Sequence, residues 1–229
     1  MSNININIGL DINEYKNGEI ISNIIVDLYN QNKYDNVLFI RTPTTGNWLD
    51  ILLNKNINIT RILYDTYKIN NYTFHKSTII IDHNNLKNTL ISINKKFDLI
   101  AIDTFHEYNY SKNDLYLLYM FLTENGTMIC HDCFPSNKLM ATPKFKFGDW
   151  CGETYIAFID FAYNNPQLFY CILKIDTGIG IISKVELELL KNKFNIKKQK
   201  KMLSYHMQSK NVYKYFYKNH HKIMNVIDI

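Results

Sequence analysis

Residues 97–135 read FDLIAIDTFHEYNYSKNDLYLLYMFLTENGTMICHDCFP. FDLIAID (Phe97 to Asp103) is a short apolar run that ends on an acid. SKNDLYLLYMFLTENG (Ser111 to Gly126) opens on a Ser suited to capping, carries apolar residues at helical spacing and closes on Gly, so it predicts a helix. TMICHD (Thr127 to Asp132) is a second apolar run, ending in His131-Asp132. Strand, helix and strand in this order predict parallel strands covered on both faces.

The same alternation extends in both directions. Upstream, EYKNGEIISNIIVDLYNQN (Glu14 to Asn32) has helical periodicity and predicts a leading helix, followed by the strand NVLFI (Asn36 to Ile40). The turn-like RTPTTGNW leads into WLDILLNK, a further helix, and then into two strands that each end on Asp, ITRILYD (Ile59 to Asp65) and STIIID (Ser77 to Asp82). Downstream, WCGETYIAFIDFAYNN predicts a helix, and two strands follow around Leu168 to Lys174 and Gly180 to Ser183. Too few residues separate these last two for a crossover helix, so they should pair antiparallel. The expected fold is α/β, a doubly wound and mostly parallel sheet of about seven strands. It spans residues 1–183, with the leading helix at 14–32. Residues 184–229 form a basic, helical C-terminal appendage.

Ligands of a doubly wound sheet bind outside the carboxyl ends of its strands. Asp65, Asp82, Asp103 and the pair His131-Asp132 all stand at such ends, and His106 follows Asp103 by three residues. Asp at a strand end is also an ordinary helix cap. Several acids and two histidines converging on one edge point instead to a site in which a carboxylate orients an imidazole as proton acceptor. Asp103 and Asp132 could alternatively hold a hard divalent cation.

These stretches resemble class I S-adenosylmethionine-dependent methyltransferases, in particular the small branch associated with glycan modification. FDLIAIDTFHEYNYSKNDL is similar to the branch's Asp-x-x-His-x-Tyr with a helix-borne Asp, and NGTMICHDCFP to its Gly-x-x-x-x-His-Asp-Cys-x-Pro. WCGETYIAF and DTGIGII are similar to its next two motifs, and the resemblance covers residues 35–183. It implies S-adenosylmethionine as cofactor and a sugar or glycan hydroxyl as acceptor. It also implies that Asp65 binds the cofactor ribose and that Asp82 and His83 lie near the adenine. Asp103, His106, His131 and Asp132 would face the acceptor, with Asp103 also bordering the cofactor. The family's first strand runs into a Gly-rich turn. Here that turn reads FIRTPTTGNW, with Phe39 in place of the acid and Arg41 in place of the first Gly; Gly46 alone survives. Arg41 would obstruct the cofactor or pair with its carboxylate. Cys133 follows Asp132 where metal-dependent relatives place an oxygen ligand, which weakens the case for magnesium. A domain that has lost its cofactor and serves as a scaffold is the alternative reading.

The cysteines allow other chemistry. A zinc site built on Cys130, Cys133 and Cys151 would need a second well-spaced pair, which the chain lacks. A redox dithiol wants CxxC at a helix start, whereas Cys130 falls inside a strand. Cys130 as a small core residue and Cys133 as a loop residue near the site is the remaining reading.

Composition sets the outer bounds. The 229 residues are 46% hydrophobic and 14% aromatic, enough for one well-packed domain, and the net charge of +5 does not demand nucleic acid. Only the basic run KNKFNIKKQKK (Lys191 to Lys201) suggests a polyanion, and charge runs usually face water. The opening residues lack a basic start followed by an apolar run, and no segment approaches the roughly 20 apolar residues of a membrane span. A cytoplasmic, reducing location is therefore expected. NVYKYFYKNHHKIM carries aromatics that suit dimerisation or docking on the domain, and its His220-His221 reads as a solvated helix end.

Overall fold

The computed structural model describes residues 24–26, 28–30, 32, 34–43, 57–65, 77–186, 196–207 and 211–228. Eight strands form one sheet: β1 (Asn36–Arg41), β2 (Asn58–Tyr64), β3 (Thr78–Ile81), β4 (Phe97–Asp103), β5 (Leu122–Cys130), β6 (Phe169–Leu173), β7 (Ile179–Ser183) and β8 (Val226–Ile227). Their order is β3-β2-β1-β4-β5-β7-β6-β8. β1 to β5 pair parallel, and β7 runs antiparallel to both β5 and β6. This is the expected doubly wound sheet. The eighth strand, a two-residue addition parallel to β6, comes from the C-terminal segment.

Alternation along the strands builds two cores, because successive side chains of a strand point to opposite faces. Leu38, Ile40, Ile100, Ile102, Met128 and Cys130 face one layer. Val37, Phe39, Leu99, Ala101 and Ile129 face the other. The helices are α1 (helical at residues 24–26 and 28–30), α2 (Leu86–Ile93), α3 (Tyr108–Tyr119), α4 (Thr154–Asn164), α5 (Ile196–Met207) and α6 (Val212–Ile223). Ile24, Ile25 and Leu28 of α1 cover the second face. α4 is buried from Thr154 through Ala162, as a helix apolar nearly all round must be, and lies in the first core. No helix among the described residues is long and apolar enough to cross a membrane.

Three expectations need correction. The helix expected over Ser111 to Gly126 occupies Tyr108–Tyr119 instead, and Leu122–Gly126 belongs to β5. Gly126 has no left-handed φ and so caps nothing. The residues before it bulge, since Phe97 pairs with Leu122 but Leu99 pairs with Thr127. Ser111 lies inside α3, its hydroxyl donating to the Phe105 carbonyl at 2.7 Å. The His220-His221 pair is not a solvated helix end, for His220 turns inward with its ring 5.0 Å from Phe134 while the neighbouring His221 ring, 4.1 Å away, stays exposed. The apolar face of α6 docks on the domain through Phe216 and Ile223, both in the first core. Gly46 and the helix expected in WLDILLNK lie outside the described residues, as does the start of the leading helix.

Candidate active site

The sheet order reverses between β1 and β4, the point at which ligands of such sheets bind. Asp103 ends β4 directly opposite Arg41 of β1, and His131-Asp132 follow β5 beside it. The backbone joins these tips: Thr42 N–H donates to the Asp103 carbonyl (3.1 Å), and His131 N–H to the Ile102 carbonyl (3.0 Å). Asp132 sits at φ 60°, a left-handed conformation unusual for a residue with a side chain and costly unless its surroundings hold it. Asp103 and Asp132 are each only 5% exposed.

The two histidines lie between carboxylates. His106 Nε2 is 3.0 Å from Asp132 Oδ2 and 3.7 Å from Asp103 Oδ1. Its Nδ1 contacts the Trp150 carbonyl at 2.6 Å and, facing an acceptor, must carry a proton there. His131 Nδ1 is 3.2 Å from Asp132 Oδ2 and 3.6 Å from Asp103 Oδ2, while its Nε2 meets Asp176 Oδ2 at 3.0 Å and Thr177 Oγ1 at 3.1 Å. With both ring nitrogens of each facing oxygen, the geometry favours imidazolium. Burial works against that charge, but the Asp132 carboxylate outweighs it with help from Asp103, raising His106 to about 9 and His131 also well above its ordinary value. Burial likewise opposes the Asp132 charge, and His131 and His106 overcome it, holding its carboxyl well below the usual range. The group is thus a closed cluster of three carboxylates and two imidazoles.

Two glycines bring its outer wall into place. Gly152 (φ 54°) lets the start of α4 approach β4's loop: a Cβ there would stand 2.4 Å from the His106 carbonyl oxygen. Glu153 N–H then donates to that carbonyl at 2.6 Å. Gly178 (φ 89°) packs against Phe134 in the same way, leaving no room for a Cβ. Trp150 lies with its ring 5.2 Å from His106. Behind the cluster a cavity of about 10 Å³, lined by Thr104, His106, Ser111, His131 and Thr154, has room for about one water.

All four residues expected to face an acceptor, Asp103, His106, His131 and Asp132, come together here. The residues expected at the cofactor are spread along the edge. Asp65 is exposed at the end of β2, its N–H donating to the Ile81 carbonyl at 2.7 Å. Asp82 is exposed and caps the turn after β3 by accepting from Asn84 N–H at 2.8 Å. The Arg41 guanidinium lies over the Phe39 ring, 5.8 Å from its centroid, along the strand's own face. His83 joins a second polar centre that the sequence reading did not single out. Its Nε2 is 2.9 Å from Asp114 Oδ1, which also accepts from Tyr64 Oη at 2.9 Å, and Asp114 Oδ2 accepts from Thr104 Oγ1 at 2.7 Å. Asp114 is buried on the inner face of α3. Its hydrogen bond raises His83, and burial together with its charge pushes the Tyr64 hydroxyl far up. Phe105 stacks on Tyr64 at 5.6 Å, and Tyr110 meets the His83 ring at 4.8 Å.

The thiols take no visible part. All four cysteines are free and buried, and burial pushes the Cys133 and Cys151 thiols up, away from the thiolate that zinc or redox chemistry needs. Cys133, expected in a loop, is fully buried against Gly180.

Asp103, His131 and Asp132 each offer one ligand atom, all within 4.8 Å of one another, and so suit a divalent cation. Asp103 Oδ1 is buried with no hydrogen bond, as a carboxylate oxygen waiting for a cation would be. A hard cation would find two carboxylates and one imidazole there.

Residues 24–133 match the family model described as a methyltransferase domain. The sheet has the Rossmann-like methyltransferase fold. Among solved structures, one assigned as a caffeoyl-CoA O-methyltransferase from Staphylococcus aureus shares the fold at 17% identity and a TM-score of 0.53, covering 72% of this chain and 83% of its own. An O-methyltransferase from Bacillus cereus in complex with S-adenosylhomocysteine aligns at 13% identity and a TM-score of 0.46, over 72% and 80% of the two chains. A Podospora anserina methyltransferase bound to the same product aligns at 16% and 0.45, over 72% and 78%. No curated protein matches the chain significantly in sequence.

Proposed function

We propose that this enzyme methylates a hydroxyl group of a sugar or glycan, at the edge formed by β1, β4 and β5. The observation that carries this reading is the cluster of Asp103, His106, His131 and Asp132 at the switch point of the sheet. The sugar is supported by the likeness of the four sequence motifs to the glycan-modifying branch.

S-adenosylmethionine, when bound, supplies an electrophilic methyl group and a positive sulfonium charge. The protein must position a hydroxyl in line with it and remove the proton. In the cluster as it stands both imidazoles favour the charged form, so neither is ready to accept that proton. A second cation beside the carboxylates would lower both imidazoles toward neutrality, since like charges disfavour each other. His106 is then the better base. Its Nδ1–H is anchored by the Trp150 carbonyl, which directs Nε2 into the cluster, whereas both ring nitrogens of His131 are taken, Nε2 by Asp176 and Thr177 and Nδ1 by Asp103 and Asp132. Asp103 and Asp132 orient His106 and compensate its charge, and with His131 they form the set that would hold a divalent cation.

The test is transfer of labelled methyl from S-adenosylmethionine to a panel of sugars and glycosides. Asp103→Asn and His131→Ala should lower transfer by at least about a hundredfold while S-adenosylhomocysteine binding persists. Product binding without transfer to any sugar would refute the acceptor. Absence of cofactor binding would favour a scaffold, the role that the replacement of the Gly-rich turn by Arg41 suggests.

A further inference from the structure

The β5–α4 loop and the start of α6 border an open cavity of about 300 Å³ lined by Lys138, Asn211, Tyr213, Lys214 and Tyr217. That volume is at the lower end of the range for small-molecule sites. Its described lining is one-sided, with two ammonium groups, two phenols, an amide and no acid among the described residues. Neither lysine has an ion pair among the described residues. Tyr213 and Tyr217 stand one helical turn apart, ring centroids 5.9 Å from each other and tilted by 35°. They offer a broad amphipathic wall.

A relay of contacts runs from the cavity to the catalytic cluster. Lys138 is six residues beyond Asp132 in the same loop. Tyr217 accepts from His220 Nδ1, and the His220 ring packs on Phe134, whose N–H donates to the Thr177 carbonyl (2.8 Å). Thr177 in turn holds His131. On the other side Tyr213 lies within electrostatic reach of Cys151, the neighbour of Gly152.

We propose that this cavity is the acceptor subsite and that it takes a phosphorylated sugar, with the phosphate between Lys138 and Lys214 and the sugar ring on Tyr213 and Tyr217. This rests on the sugar-methylating reading and narrows it, since two lysines on one cavity favour an anionic sugar over a neutral glycan. Lysine serves a phosphate as a point charge, so the subsite should respond strongly to charge and to salt.

Calorimetric titration of the full chain, with S-adenosylhomocysteine present, tests the proposal with four probes: glucose 1-phosphate, UDP-glucose, inorganic pyrophosphate and glucose. A sugar phosphate should bind and glucose should not. Lys138→Glu or Lys214→Glu should weaken it about tenfold and the pair about a hundredfold, with unchanged melting and unchanged S-adenosylhomocysteine affinity. Tyr217→Ala should weaken the sugar phosphates and leave pyrophosphate unaffected. The proposal is overturned if sugar phosphates bind no tighter than glucose, if charge reversal leaves their affinity unchanged, or if pyrophosphate alone binds as tightly. Lysine-dependent binding of a sugar phosphate by a chain that does not bind S-adenosylhomocysteine would uphold the subsite and defeat the methyl-transfer reading. The two failures are therefore distinct.

Discussion

The imidazolium state of His106 makes a prediction that needs no substrate. Its folded-state value near 9 stands above the ordinary 6.5, and it faces the Asp132 carboxylate at 3.0 Å in a buried setting. A group whose pKa rises on folding stabilises the fold fully below its unfolded value, and that stabilisation is lost as pH climbs through the folded value. The difference corresponds to about 3 kcal/mol, present near pH 6 and largely gone above about pH 9. Urea unfolding of the native protein and of His106→Gln, at about pH 6 and about pH 9.5, isolates the contribution, because other titrating groups act on both chains. The stability gap between the two should shrink by about 3 kcal/mol across that window. A gap constant to within about 0.5 kcal/mol would mean that His106 is neutral in the folded protein, and the charged-cluster argument would be wrong.

Other perturbations probe separate parts of the molecule. Asp114→Ala strands Tyr64, Thr104 and His83 around a buried hole and should cost about 3 kcal/mol in chemical denaturation, with Asp114→Asn milder because the amide oxygen still accepts. Gly152→Ala sets a Cβ 2.4 Å from the His106 carbonyl at a positive φ, so it should cost roughly 2 kcal/mol and reduce methyl transfer more than cofactor affinity. Cys133→Ser and Cys130→Ser should not respond differently to zinc or dithiothreitol than the native chain in activity assays, since both thiols are buried and burial pushes the Cys133 thiol up.

The parallel strands could be read from sequence because each is a short apolar run and all but β1, which ends on Arg41, deliver an acid at the tip, and β1 to β5 overlap those runs. The end of α3 could not. Phe121 and Leu122 continue the helical apolar pattern, but Phe97 N–H takes the Phe121 carbonyl, and pairing with β4 wins over helix propensity. The four central site residues were legible for a topological reason, since strand tips meet at a switch point. Asp176 and Thr177 were quoted only within a motif, because nothing local says that the β6–β7 turn reaches His131. Asp114 carried a quieter signal, an acid on the apolar stripe with Leu115 and Leu118. Its partners Tyr64, on β2, and Thr104, just past β4, are found only in three dimensions. His220 was misread because its helix face is decided by contact with Phe134, far away in sequence.

The central claim is that this edge still serves S-adenosylmethionine chemistry despite Arg41. Calorimetric titration of the purified chain with S-adenosylhomocysteine tests it most directly. The account predicts saturable binding of one molecule per chain, preserved in Asp103→Asn and His131→Ala. Absence of binding up to about millimolar ligand, where even a contact worth roughly 4 kcal/mol would register, would contradict it.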